Sequence, residues 1–379
     1  MRIAHVTDCY LPRLGGIEMQ VADLAARQRL AGHDVDVITA SPAARDEDAD
    51  EAAGVIRLAA PLRHPHVLHP WLLRSGVRTV LTGGYDAVHV HVGIPSPLGF
   101  LAARAAARAG LPTVVTVHSM WTGVVVLFRL LAVVGGWARL PLVWTAVSEA
   151  AAGPVRRVLP AGRPVTVLPN GIDQGHWQAV PVAGDPQDVL VVGTMRLVRR
   201  KRPHALLHIL RQVDRHRPAG VRLRAVLPGD GPRRAGLERY LRRNGMTDWV
   251  SLPGRLTRDE LCELYRRADV FVAPAGLESF GIAALEARCA GLPVVAKRRG
   301  GVGELVRHGR EGLLAGSDAQ LTEALLLLVA DSDLRHRIRD HNRTTPCRVS
   351  WAGVLQETGR AYLRAGAVDP SEVLAVPAA

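Results

Sequence analysis

Short apolar runs alternate with amphipathic stretches along nearly the whole chain, and this alternation limits the fold more than any single motif. "IAHVTD" (3–8) reads as a strand, a loop runs through Gly15-Gly16, and "IEMQVADLAARQRLA" (17–31) reads as an amphipathic helix ended by Gly32. "DVDVITA" (34–40), "DAVHVHV" (86–92), a helix over 97–109, "TVVTVHS" (113–119), "TAVS" (145–148) and "VTVLPNGID" (165–173) continue the pattern. A Pro-rich, weakly patterned bridge, "AVPVAGDPQD" (179–188), reads as a linker. A second series follows: "VLVVG" (189–193), a helix from Pro203 to Val213, "RLRAVLPG" (222–229), a helix near 233–243, "VSLPG" (250–254), a helix over 258–267, "VFVAP" (270–274), another helix, "PVVA" and a final helix over 318–330.

Strands that alternate with helices predict a parallel, doubly wound α/β sheet, here twice over. At roughly 150 residues per domain, the 379-residue chain has room for two. The expected division is 1–180, 186–345, a helix at 350–365 and a flexible tail at 366–379. Ligands of such folds lie outside the carboxyl ends of the strands, and with two domains the cleft between them is the expected site.

Composition narrows the class. The hydrophobic set is 48% and charged residues are 22%, a globular and not a disordered balance. The formal charge of +13 implies attraction to phosphates, anionic lipid or nucleic acid, although heavy use of Arg is also what GC-rich coding produces. Aromatics are only 4% and no basic stripe interleaved with aromatics is found, which argues against a nucleic-acid-binding protein. Cys9, Cys262, Cys289 and Cys347 are far apart without CxxC, so a reducing, cytoplasmic compartment is expected. "MRIAHVTD" enters a strand directly, without a secretory signal pattern. "MWTGVVVLFRLLAVVGGW" (120–137) is long and apolar with Arg129 near its middle, a cation too costly for a membrane span. It is expected to be a buried core helix, with an interfacial patch shared with "LRHPHVLHPWLLR" (62–74) as the alternative.

The chemistry concentrates in the second half. "LESFGIAALEARCAGLPVV" (277–295) reads as loop, helix, strand, with Ser279 as N-cap, Gly291 as C′ residue and Pro293 before the strand. Glu278 then lies at the helix mouth, where free N–H groups favour an anion or polar ligand, and Glu286 about two turns inside. Gly281 lets a ligand approach the backbone; a capped surface helix with two solvated glutamates is the plain alternative. Arg196 and Lys201 follow the first strand of this half, with Pro203 suited to helix position N1, and are placed to neutralise a diphosphate. A basic surface loop is the competing reading. Gly15-Gly16 lacks the GxGxxG spacing of a dinucleotide site, which argues against a dehydrogenase. Asp34-Val-Asp36 and Asp48-Ala-Asp50 read DxD but lie at a strand start and in an acidic loop, so no metal role is expected. His89 and His91 share one strand face and make half a zinc site with no third ligand identifiable, so a structural role is favoured.

Taken in order, Gly15-Gly16, Arg196, Lys201, "ESFGIAALE" (278–286), "GGVGE" (300–304), "VLPNGID" (167–173) and "SWAGVLQETGRAYLRA" (350–365) form a set. The set resembles the family-4 retaining glycosyltransferases of GT-B fold, similar to bacterial mannosyl- and N-acetylglucosaminyltransferases. The resemblance covers nearly the whole chain. It implies two Rossmann-like domains facing a cleft, with the last helix returning to the first domain. By the same resemblance Glu278 holds donor-sugar hydroxyls, Glu286 the ribose, and the backbone from Ser279 and Phe280 through Gly281, Ile282 and Ala283 the sugar and phosphate. Arg196 and Lys201 hold the diphosphate, Gly15 and Gly16 meet donor phosphate or sugar, and His118 approaches the reacting centre.

The implied reaction is transfer of a hexose from a nucleoside diphosphate sugar, GDP-mannose or a UDP-sugar, with retention and without a metal or other cofactor. The leaving phosphate takes the acceptor proton. Acceptor readings are a lipid or lipid-linked hydroxyl at an anionic membrane surface, or a small polyol or secondary metabolite. A GT-B epimerase shares these motifs and is separated by acceptor-independent donor consumption; a phosphorylase would need a pyridoxal lysine that is not found. Arg288-Cys289 departs from the small apolar pair usual after the second glutamate, and "AKRRGG" (296–301) is unusually basic, its extra cations expected to meet phosphate or substrate.

Overall fold

The computed structural model describes residues 1–13, 15–42, 54–58, 70–178 and 185–368. The acidic loop at 45–51, residues 62–69 of the basic Trp-bearing segment, most of the linker and the tail beyond 368 lie outside the described residues. The chain forms two compact units, Met1–Gly171 with Trp351–Ala379, and Ile172–Ser350.

The first unit runs β1 (Arg2–Thr7), α1 (Gly16–Leu30), β2 (Asp34–Thr39), β3 (Val55–Arg57), α2 (Pro70–Thr82), β4 (Ala87–Val92), α3 (Pro97–Arg108), β5 (Thr113–Val117), α4 (Val125–Val134), β6 (Leu142–Ala146), α5 (Glu149–Val158) and β7 (Val165–Val167). Its sheet is parallel, in the order β3-β2-β1-β4-β5-β6-β7. Every residue of β4 and β5 is buried, because helices cover both faces of a parallel sheet. That burial takes in the polar His89, His91, Thr113 and Thr116 as well as the valines between them.

The second unit runs α6 (Gln174–Trp177), β8 (Asp188–Val192), α7 (Pro203–His216), β9 (Arg222–Val226), α8 (Arg234–Arg243), β10 (Val250–Ser251), α9 (Arg258–Arg267), β11 (Val270–Ala273), α10 (Ile282–Cys289), β12 (Val294–Lys297), α11 (Val302–Leu305), β13 (Gly312–Ala315), α12 (Asp318–Ala330) and α13 (Ser332–Thr344). Its sheet is also parallel, in the order β10-β9-β8-β11-β12-β13. A final helix, α14 (Trp351–Arg364), belongs to the first unit, where Ala361 and Tyr362 pack with Ile3, Val21 and Val37.

Two expectations fail. The apolar segment at 120–137 is not a buried core helix: α4 buries only Phe128 and Ala132, while Val126, Leu127, Leu130, Leu131, Val133 and Val134 are exposed. Phe128 stacks on Trp121 at 4.4 Å between ring centroids, and with Ala132 four residues on it forms the one helix face that turns inward, which leaves the apolar residues of the other faces outside. The second series also does not end with the helix over 318–330, since α13 follows it; the helix expected at 350–365 is α14. α13 is strongly charged, and its inward side is Arg335, Ile338 and Asn342, which hides it from an apolar-periodicity reading.

Arg288 explains its own departure from a small apolar residue. It is 2% exposed, pairs with Glu311 at 2.8 Å, and donates to the Thr345 carbonyl and to Cys347 Sγ. The distant Cys289 and Cys347 meet here, with sulfurs 2.7 Å apart and both thiols free. Arg288→Met should destabilise the protein by about 3–5 kcal/mol in denaturant melts, because Glu311 is left buried and uncompensated. Arg288→Met with Glu311→Leu should recover most of that loss; a single variant as stable as wild type would contradict the strut.

Candidate active site

The order of the second sheet reverses between β8 and β11, so the loops leaving their carboxyl ends diverge and open a crevice. Lys201 comes from the loop after β8 and Glu278 from the loop after β11, and they form an ion pair across that point. Each side chain is about one-fifth exposed, Lys201 at 20% and Glu278 at 19%. The pair is therefore reachable by a ligand yet screened less than a surface pair.

The loop carrying Arg196 and Lys201 is fixed from below by the loop after β9. Met195 N donates to the Pro228 carbonyl at 3.1 Å, Leu197 N to that of Asp230 at 2.9 Å, and Arg233 N returns to Leu197 O at 3.0 Å. Gly229 lies at φ 135°, and a Cβ there would come within 1.8 Å of Met195 O. "PGDGP" (228–232) is thus part of the site's frame, a Gly-x-Gly after a strand that the motif reading passed over. Arg196 is half-buried on the same loop as Lys201.

On the other side of the crevice, Ser279 is not the N-cap of α10. The cap is Gly281, in the left-handed region at φ 97°, because Val302 Cγ2 lies 2.3 Å from where its Cβ would be. The "GGVGE" segment packs on this loop, and Gly301 N donates to the Glu278 carbonyl at 2.8 Å. Phe280 is buried, while Ile282 and Ala283 form the first turn with their amides at the open helix end. Helix α10 starts at 282, so half-buried Glu286 lies one turn inside it and not two. Tyr265 donates to Thr194 Oγ1 at 3.0 Å, and its phenol is pushed up first by burial and then by the nearby charge of Glu286.

The basic "AKRRGG" segment does not offer its first cations to a ligand. Lys297 pairs with Asp318 at 2.6 Å, and Arg298 donates to the Leu314 carbonyl at 3.3 Å. Arg202, in the left-handed region at φ 58°, grips Asp318 with both guanidinium arms at 2.8 and 2.6 Å. These hydrogen bonds hold the Asp318 carboxyl well below the usual range.

In the first unit the sheet order reverses between β1 and β4. Gly15 caps α1 in extended backbone and Gly16 is its first residue. Asp8, at the end of β1, accepts from Leu98 N and Gly99 N at 3.0 Å each, and burial raises its carboxyl to about 6. His118 follows β5 and its side chain is buried. The third partner for His89 and His91 exists after all: His5, paired with His89 in strand register, brings one ligand-capable nitrogen of each within 4.8 Å. Asp34 and Asp36 are engaged, Asp34 by Arg2 at 3.4 Å and Asp36 by Tyr85 Oη–H at 2.8 Å.

With this geometry in place, comparison with known proteins is decisive. Residues 14–175 match the model of "Glycosyltransferase Family 4" and residues 177–345 that of "Glycosyl transferases group 1". The chain belongs to the family-4 glycosyltransferases. It is similar to a Mycobacterium tuberculosis glycogen synthase, 28% identical over 96% of this chain and 95% of that one. It is likewise 28% identical to a GDP-mannose-dependent α-(1-6)-phosphatidylinositol monomannoside mannosyltransferase of the same organism, over 88% of this chain and 90% of that one. Among solved structures, Anabaena HepE in complex with UDP-glucose superposes with a TM-score of 0.76 at 21% identity, over 95% of this chain and 98% of that one. The fold is GT-B, and the chain is a glycosyltransferase of the hexosyl-transferring class.

The first unit of this glycosyltransferase carries a titration signature. Burial lowers His5 and His118 to about 4 and holds His89 and His91 well below the usual value. A histidine kept neutral in the fold contributes stability that is present above the unfolded pKa near 6.5 and lost as pH falls below it. Going from pH 7 to pH 5 should therefore cost ~2 kcal/mol for each histidine. Asp8 acts with the opposite sign below about 6 and offsets part of the loss. Urea melts at the two pH values check this, and an unchanged midpoint would sink it.

Proposed function

We propose that the enzyme transfers a hexose from GDP-mannose or a UDP-sugar to a lipid or lipid-linked hydroxyl at the membrane face, with retention and without a metal. The observation that carries the donor half is the Lys201–Glu278 pair across the β8/β11 reversal. A diphosphate needs a cation where negative charge develops on the leaving group, and Lys201 with Arg196 supplies it. Glu278 accepts from sugar hydroxyls at the mouth of α10, and the amides of Gly281 to Ala283 face the sugar and phosphate. Glu286 takes the ribose.

Glu278 is already neutralised by Lys201, which suits a positioner more than a nucleophile. Front-face displacement follows, with the leaving phosphate oxygen accepting the acceptor's proton as the new glycosidic bond forms on the face the phosphate leaves. Gly15, Gly16 and His118 serve the donor from the first unit.

Helix α4 supports the lipid half. Six large apolar side chains are exposed along ten residues, a surplus that water does not favour, with Arg129 and Arg139 exposed beside them for anionic headgroups. No helix among the described residues is long and apolar enough to cross a membrane, so α4 would lie in the interface. The phosphatidylinositol-linked acceptor named for the mycobacterial relative agrees with this reading.

Glu278→Ala should abolish transfer while largely keeping nucleotide binding. Thermal stability with GDP, UDP and ADP in EDTA reads the binding, since a ligand at 100 times its Kd adds about 2.7 kcal/mol to the native state. Normal turnover in the variant, or no shift with any nucleotide in wild type, would refute the donor site; NMR of the product's anomeric centre tests retention. For the membrane, the wild type should co-sediment with anionic phosphatidylinositol liposomes at low salt, and Leu127→Asp with Leu130→Asp should not. Failure of the wild type to sediment would leave a soluble polyol as the acceptor.

A further inference from the structure

The four buried histidines of the first unit are not a packing accident, because they form one continuous hydrogen-bonded chain. His118 Nε2 meets His91 Nδ1 at 3.0 Å, His91 Nε2 meets His5 Nδ1 at 2.8 Å, and His5 Nε2 meets Gln28 Oε1 at 2.6 Å. Gln28 Nε2 donates to Tyr362 Oη at 3.0 Å, Tyr362 Oη meets His89 Nδ1 at 3.1 Å, and His89 Nε2 meets Thr116 Oγ1 at 2.7 Å. Thr116 Oγ1 contacts Thr145 Oγ1 at 2.6 Å, and Thr145 donates to the Val115 carbonyl at 3.4 Å. His5, Gln28, His89, His91, His118, Thr116, Thr145 and Tyr362 are all at least 93% buried, so water does not relieve a mismatch along the chain. All six ring nitrogens of His5, His89 and His91 are committed to these bonds, which leaves a metal no lone pair without breaking the chain.

Such a chain has a direction, and one end decides it. A backbone carbonyl only accepts, so the Thr145 hydroxyl donates to Val115 O and accepts from Thr116. Thr116 then accepts from His89 Nε2–H, and neutral His89 accepts at Nδ1 from the Tyr362 hydroxyl. Tyr362 accepts from the Gln28 amide N–H, which turns Gln28 Oε1 to His5 Nε2–H. Neutral His5 accepts at Nδ1 from His91 Nε2–H, and neutral His91 accepts at Nδ1 from His118 Nε2–H.

We infer that Gln28, Tyr362, His5 and His91 are positioning residues that hold His118 as its Nε2–H tautomer, so that its buried Nδ1 is the ring nitrogen kept without a proton. The role of His118 at the reacting centre rests on the function proposed above; its tautomer does not. A ring held in one tautomer presents a fixed acceptor nitrogen, and Tyr362 exerts this control through three intervening side chains, Gln28, His5 and His91.

The test is the long-range 1H–15N correlation spectrum of the 15N-histidine-labelled full-length protein near pH 7.5, with transfer kinetics. In wild type, His5, His89, His91 and His118 should all be Nε2–H tautomers; a His118 carrying its proton on Nδ1, or on both nitrogens, overturns the inference. Tyr362→Phe removes one hydroxyl, which frees the Gln28 amide to turn and allows the opposite direction. It should give a mixed His118 tautomer, with kcat lower by about tenfold. Nucleotide Kd should be unchanged, and Tyr362→Phe with an unaltered His118 signal overturns the relay. Should Tyr362→Phe fail to fold, Thr145→Val removes the carbonyl-anchored end and makes the same distinction. An altered tautomer with unaltered transfer would instead reject the placement of His118 at the reacting centre while leaving the relay standing.

Discussion

Parallel strand pairing is the constraint on which everything else in this enzyme depends. A parallel neighbour is reached only by a crossover that returns over the sheet, so each strand of both sheets delivers its carboxyl end to the same edge. Loops gather there, and where the strand order reverses they part. The Lys201–Glu278 pair spans that parting in one unit, and β1 and β4 with their histidines form it in the other. In both units the parting is a gap that the winding of the chain cannot close.

Burial on both faces has a second effect, visible in what it does to polar groups. A strand without a wet face must satisfy every polar side chain internally, and the enzyme meets this demand twice with networks instead of single bonds. The histidine chain in the first unit does so with neutral groups. The second unit does so with charge: Arg288 is held by Glu311, Thr345 O and Cys347 Sγ. The neutral network stores direction, because each hydroxyl and neutral imidazole has one donor to place and the Gln28 amide donates at one end only, whereas the charged one stores only cohesion between α10 and the segment after α13.

Much of this was legible in the sequence, for identifiable reasons. Strands β1, β4, β5, β8 and β11 announced themselves as short valine-rich runs because burial on both faces favours β-branched apolar residues, and Pro203 and Gly291 marked real helix ends. Elements defined by shape or by polar packing were hidden. β3 is three residues long, α13 is mostly charged, and α4 is apolar for a reason other than core formation. Glu278 was singled out at a helix mouth and Lys201 in a loop after a strand, but their pairing was not foreseen, and the Gly281 cap was missed because Ser279 fits the side-chain rule while the clash with Val302 is tertiary. His89 and His91 were read as a pair on one strand face, but the chain that joins them to His5 and His118 was not seen, since His5 and His118 come from other strands and His89 connects only through Tyr362, near the far end of the chain, and Gln28.

The placement of α14 has a consequence for how the enzyme is made. Tyr362 completes a network whose other members are all encoded before residue 146, with the whole second unit in between. A ribosome adding roughly 5–20 residues per second leaves the nascent first unit without its Tyr362 hydroxyl for on the order of ten seconds or more. During that interval Gln28 and His89 must face water, a chaperone or a non-native partner. The histidine chain of an early-synthesised unit thus closes only when α14, the last helix among the described residues, has left the exit tunnel.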